Sequence, residues 1–154
     1  MTGESHLEPY SYRRDPSVPA FDDARPIFIF DGKCALCSGF ARFLLRHDRK
    51  QQLRLLAAQS DLGEALYCHF GLKSGDYDTN ILLFGGRALA KSDGSIRVFE
   101  LLGAPWSIAA LARLAPRSLR DALYDWVARN RLRWFGAHSV CYAPDPSDSH
   151  RFVG

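Results

Sequence analysis

The stretch FIFDGKCALCSGF, residues 28–40, constrains this chain more than any other. A continuous apolar run from Ile27 to Phe30 follows Pro26 and predicts a short buried strand. Asp31-Gly32 breaks it, and a helical segment begins at Cys34, with Phe40, Phe43 and Leu44 recurring at i, i+3, i+4 opposite Arg42, Arg46 and Arg49. Cys34 and Cys37 therefore stand where a strand hands over to a helix. Three readings are open for them: a redox couple, half of a zinc site, or two small core residues.

The remaining pattern extends this βα start. LRLLAA, residues 53–58, reads as a second strand. Asp61 with Glu64 resembles a capping pair before a helix carrying Leu62, Ala65, Leu66 and Phe70, closed by Gly71. After a polar loop, ILLF and RALAK flank Gly85-Gly86, as in a hairpin with a two-residue turn that Asp93-Gly94 ends. Helical patterns follow at about 95–102, 107–114 and onward from Pro116, the last placing Leu119, Leu123, Trp126 and Val127 on one face. The order β-α-β-α-β-β-α plus further helices predicts a thioredoxin-like three-layer α/β/α fold, with a mixed four-stranded sheet and extra C-terminal helices from about residue 104. The polar, proline-bearing residues 1–26 read as a flexible arm, residues 27–141 as the domain, and 142–154 as a turn-rich tail.

Composition narrows the function classes. A net charge of +3 gives no reason to expect nucleic acid as a partner. No run approaches 18 apolar residues and the start shows no secretory core, so the expectations are no membrane insertion and a cytoplasmic location. In a reducing compartment four cysteines point to catalysis, metal or packing rather than a disulfide framework. No glycine-rich phosphate loop, paired-carboxylate arrangement or Ser/His/Asp constellation stands out.

The junction gives the cysteines their chemistry. A helix N-terminus offers unpaired N–H groups and a partial positive charge, which lower a thiol pKa from about 8.5 toward roughly 3.5–7.5. Two intervening residues put the second sulfur one helical turn from the first. Cys34, nearer the exposed end, is expected to be the attacking thiolate, and Cys37 the thiol that resolves the mixed disulfide. Lys33 adds a cation beside Cys34, Gly32 permits the tight turn, and Asp31, if buried, is a candidate proton acceptor for Cys37. Zinc needs four ligands, and Cys68-His69 and His138…Cys141 are the further candidates; neither supplies a second Cys-x-x-Cys.

Over most of its length, from about Pro26 to Cys141, the chain resembles the DCC family, also called DUF393, predicted thiol-disulfide oxidoreductases. FDGKCALCSGF resembles its Asp-Gly-x-Cys-x-x-Cys opening, and LRLLAAQS with Gln59 its second strand. KSDGSIRVFELLGAPW resembles its middle segment. PRSLRDALYDWVARNRLRWFG is similar to its C-terminal helix signature, with Pro116, Arg120, Asp121, Tyr124, Asn130, Arg131 and Phe135-Gly136 in register. The resemblance implies a thioredoxin-like fold, thiol-disulfide exchange with protein or low-molecular-weight thiol partners, no cofactor, and a site at Cys34 and Cys37 framed by Asp31 and Gly32. Leu132 stands where the family often has an aromatic residue. Thr79-Asn80 stand where thioredoxins carry a cis-proline against the cysteines, which leaves Thr79 either a supporting residue or a plain strand start.

Other residues have competing readings. Cys141 is a candidate third thiol or a packed cysteine, and Cys68 reads as packing or surface. RNRLRW, residues 129–134, reads as a basic helix end. Arg120-Asp121 and Arg129-Asn130 are candidate internal pairs. Trp106, Trp126 and Trp134 read as anchors packing the added helices onto the body. The alternative functions are a non-catalytic partner-binding module that uses those helices and a zinc-binding protein.

Overall fold

A computed structural model describes residues 8–72, 80–136 and 146–153. Four strands, β1 (Ile27–Phe30), β2 (Arg54–Ala57), β3 (Ile81–Phe84) and β4 (Arg87–Ala90), form one mixed sheet in the order β2-β1-β3-β4. β1 runs parallel to β2 and antiparallel to β3, which turns back into β4. Helices α1 (Ala35–His47), α2 (Asp61–His69), α3 (Lys91–Leu102) and α4 (Arg117–Phe135) surround it. This is the expected thioredoxin-like α/β layout.

β1 is buried on both faces, so its side chains divide by parity. Ile27 and Ile29 join Leu56, Ile81 and Leu83 beneath α2, packed with Leu62, Leu66 and Tyr67. Phe28 and Phe30 join Leu55, Leu82 and Val98 on the opposite side, with α1's Cys37, Ala41 and Leu44. Each such fully buried large side chain contributes roughly 1.5–3 kcal/mol. The hairpin turn is Gly85-Gly86 as read, with φ of +60° and +79°, values that suit glycine.

Several expectations need correction. The N-terminal arm is docked from residue 8 onward: Tyr12 is in the core and bonds Asp23, Tyr10 N–H donates to the Gly86 carbonyl, and Asp15 pairs with His69. The end of the tail is docked too, with Phe152 bridging to Leu55 along the β2 edge and Arg151 paired with Asp48. α2 is capped by Ser60, whose Oγ accepts from Gly63 N–H, rather than by Asp61. α3 starts at Lys91, so Asp93-Gly94 lies in its first turn, because β4 passes directly into the helix. Trp106–Leu114 is a 3-10 helix.

α4 departs most from its reading. Leu119, Leu123 and Trp126 do share a face, but each is more than half exposed, and Trp134 is 46% exposed. Trp126 and Trp134 stack edge to face on each other at 5.0 Å, not on the body. Trp106 alone acts as the anchor expected, against Phe43 and His47. The inward side of α4 carries its paired polar residues: Arg120 pairs with Asp93, Asp121 binds Ser92, and Arg131 pairs with Asp31. Arg120 and Asp121 thus each find partners on α3, and Asn130 bonds the Trp126 carbonyl within its own helix.

Candidate active site

The turn after β1 is tied by its own acid. Asp31 Oδ1 accepts from Lys33 N–H at 2.9 Å, and its carbonyl accepts from Cys34 N–H at 3.3 Å. Gln59, just past β2, closes the turn from the side: Oε1 accepts from Gly32 N–H, while Nε2 donates to Asp31 Oδ1. Ser38 Oγ donates to the Gly32 carbonyl from one turn into α1.

Cys34 is the N-cap of α1. Its backbone is extended, and its Sγ accepts from Cys37 N–H at 3.4 Å, the position a serine or aspartate oxygen usually takes. The Ala35 N–H, another open amide of this turn, donates to the Gly136 carbonyl just past α4. Neither cysteine is in a disulfide.

The two sulfurs differ sharply in acidity. The Cys37 thiol donating to it, the Cys37 and Leu36 amides and the Arg131 charge together outweigh burial and bring Cys34 down to about 6. Cys37 is pushed far above the usual thiol range, first by donating to Cys34, then by burial and the adjoining negative charge of Cys34. The two shifts run in opposite directions, so negative charge is favoured on Cys34 and the proton on Cys37.

The cation beside the sulfurs is Arg131, not Lys33, which is exposed. Arg131 Nη1 donates to Asp31 Oδ2 at 3.0 Å, with both side chains more than nine-tenths buried. Asp31 is buried as anticipated, but it already accepts from three donors, Lys33 N–H, Gln59 and Arg131. Arg131 Nε is buried with no hydrogen-bond partner among the described residues. Asn80 and Tyr124 complete the surroundings: Asn80 Oδ1 lies 3.9 Å from Cys37 Sγ, and Asn80 N–H donates to Tyr124 Oη at 2.8 Å.

Both cysteines are buried, and Cys37 lines a groove between α1, α3 and α4. As a cap, Cys34 Sγ turns back over the first turn of α1 instead of outward. The groove has a volume of about 220 Å³, with Leu36, Phe40, Phe99, Val127 and Ala128 on its apolar walls and Arg131 beside Cys37.

Cys68 is exposed on α2, across the sheet, where its neighbour His69 binds Asp15 and Ser11. Among the described residues, no three His, Cys, Asp or Glu side chains cluster as a metal site would require. Thr79, His138 and Cys141 lie outside the described residues. No helix among those described is long and apolar enough to cross a membrane. Sequence reasoning placed Arg131 and Tyr124 on the C-terminal helix but gave them no role. Their signal was only membership in that helix's pattern, since nothing local links them to residues 31–37.

Comparison with known proteins agrees with this arrangement. Residues 28–137 match the sequence profile of the DCC1-like thiol-disulfide oxidoreductases. The chain is 33% identical over 127 residues to the uncharacterized protein YuxK of Bacillus subtilis, covering 82% of this chain and 93% of that protein. It is 35% identical over 121 residues to a chloroplastic DCC family protein of Arabidopsis thaliana, covering 78% and 70% respectively. No solved structure matches. With its Asp-Gly-Lys-Cys-x-x-Cys turn, thioredoxin-like sheet and matched C-terminal helix, the chain belongs to the DCC1-like thiol-disulfide oxidoreductase family.

Proposed function

We propose that the protein exchanges a Cys34–Cys37 dithiol for a disulfide with protein or low-molecular-weight thiol partners. The observation that supports this best is the capped Cys34 sulfur, which accepts from the Cys37 amide and whose thiol pKa is lowered while that of Cys37 is raised. The Cys34 thiolate attacks one sulfur of a substrate disulfide. That S–S bond breaks, a substrate thiolate departs, and a Cys34 mixed disulfide remains. Cys37 gives its proton to the departing thiolate and attacks Cys34 Sγ, which releases the second substrate half as a thiolate that takes its proton from water. The substrate gains two electrons and the protein loses two.

Asp31 positions rather than accepts: its oxygens already take three donors, and its role is to hold the turn and Arg131. Since Cys34 is covered in this reduced state, the substrate approaches along the Cys37 wall, and exchange requires Cys34 to rotate out of its cap position. A reducing compartment such as the cytoplasm would keep the pair as the dithiol found here.

Mass spectrometry across a glutathione redox series tests the proposal, with a reversible Cys34–Cys37 disulfide as the expected result. Unchanged exchange in Cys34→Ser would remove Cys34 from the mechanism. The partner-binding alternative draws on a different observation, the exposed Leu119, Leu123, Trp126 and Trp134 face of α4. It predicts that association with a protein partner survives the combined Cys34→Ser, Cys37→Ser substitution.

A further inference from the structure

The groove beside Cys37 carries an observation that the exchange chemistry alone leaves unexplained. Arg131 lines it, is 5% exposed, and holds a buried Nε–H that no acceptor among the described residues meets. A buried donor left unpaired, on a charged group above all, is costly unless a partner arrives. Leu36, Phe40, Phe99, Val127 and Ala128 present carbon on its other walls, with Asn80, Ser95 and Tyr124 as further polar lining.

The space is small. At about 220 Å³ it falls below the roughly 300–1,000 Å³ of pockets that enclose drug-sized ligands, and suits a single ring or a short branched chain. An extended peptide has a further obstacle. A strand laid along the start of β3 would bond that segment's amides, yet Asn80 N–H is already donated to Tyr124 Oη of α4.

We propose that this groove receives low-molecular-weight disulfides with an apolar, ring-sized body and a carboxylate, the body lying against Phe40, Phe99 and Val127 and the carboxylate accepting from Arg131 Nε. This rests on the exchange reading above and adds its substrate class. The chemistry is the balanced exchange already described: the ligand's S–S bond breaks, its halves leave as one thiol and one thiolate, and the Cys34–Cys37 disulfide forms.

The test uses the full chain, reduced, and two aryl disulfides followed by stopped-flow absorbance. One is 5,5′-dithiobis(2-nitrobenzoate), which carries carboxylates; the other is the neutral 4,4′-dithiodipyridine. Each rate is divided by that reagent's rate with N-acetylcysteine, which removes intrinsic reactivity. The carboxylate reagent should be favoured by about tenfold, the scale of one charge-assisted hydrogen bond. Arg131→Gln should abolish the preference. Ala128→Leu, which narrows the groove and leaves the Arg131–Asp31 pair in place, should reduce it independently if the first variant folds poorly. Equal normalised rates, or a preference untouched by both variants, would overturn the assignment. So would a cysteine-peptide disulfide with an adjacent phenylalanine outperforming both reagents, which would make the occupant a peptide. If neither reagent produces a Cys34–Cys37 disulfide, the exchange reading fails first, and that outcome is distinct from a lost preference.

Discussion

Helix α1 is held at each end by a buried arginine–aspartate pair, and the two pairs are not alike. At its C-terminal end Arg151 Nη2 meets Asp48 at 2.6 Å, and Nε and Nη2 both donate to the Leu53 carbonyl. Asp48 also accepts the Gln52 and Leu53 amides. At the N-terminal end Asp31 is equally well supplied, but Arg131 Nε has no acceptor among the described residues, next to the groove and Cys34. The first pair is closed on itself and works as a clasp joining the tail to the β2 edge. The second leaves part of its hydrogen-bonding capacity unused among the described residues, and its charge acts on sulfur. A buried ion pair therefore says little by itself; the count of satisfied donors separates a clasp from a site.

The contrast can be broken by substitution. Asp48→Ala should have the largest effect on stability, about 3–5 kcal/mol in urea unfolding, because it leaves a buried guanidinium without its counter-charge. Exchange per folded molecule should stay unchanged; a matching fall in exchange would erase the distinction between the two ends. Cys37→Ala should have the largest effect on the thiolate. Iodoacetamide modification of Cys34 rises with pH through its pKa, so the inflection near 6 should move upward once the principal donor to the sulfur is gone. The sign follows from the charge: a lost donor destabilises the anion, so the thiolate forms only at higher pH.

Arg131→Gln should move the same inflection upward by less, because its charge ranks behind the Cys37 contacts. An unmoved inflection would make Arg131 a second clasp after all. Tyr124→Phe removes one acceptor, that of Asn80 N–H, and should cost roughly 1 kcal/mol while opening that amide to a partner. Lys33→Ala should fall within about 0.5 kcal/mol of wild type and leave the inflection in place, since Lys33 is exposed.

Much of the site was legible because its parts are local. The strand before Asp31, the turn at Gly32 and the one-turn spacing of Cys34 and Cys37 all follow from residues within ten positions, and the structure puts Cys34 at the cap where an anion is favoured. The identity of the cation was not legible. Lys33 is adjacent in sequence, but Arg131 comes from 100 residues beyond Asp31. Nor was it legible that Cys34 turns back onto its own helix while Cys37 lines the groove; the carbonyl of Gly136 lies at the same turn.

α4 teaches the same point in reverse. Its periodicity showed that Leu119, Leu123 and Trp126 share a face, and apolar faces ordinarily turn inward. Here Arg120, Asp121, Tyr124 and Arg131 turn inward because Asp93, Ser92, Asn80 and Asp31 wait there as partners.

The sequence by itself determined the order of strands and helices, the two-glycine hairpin and the placement of two thiols at a helix start, since each depends on backbone preferences and spacing over a few residues. Tertiary structure alone decided which charge faces the thiolate, which sulfur borders the groove and which side of α4 is buried. Those outcomes depend on distant groups meeting out of water, where a buried polar atom is stable only beside a partner.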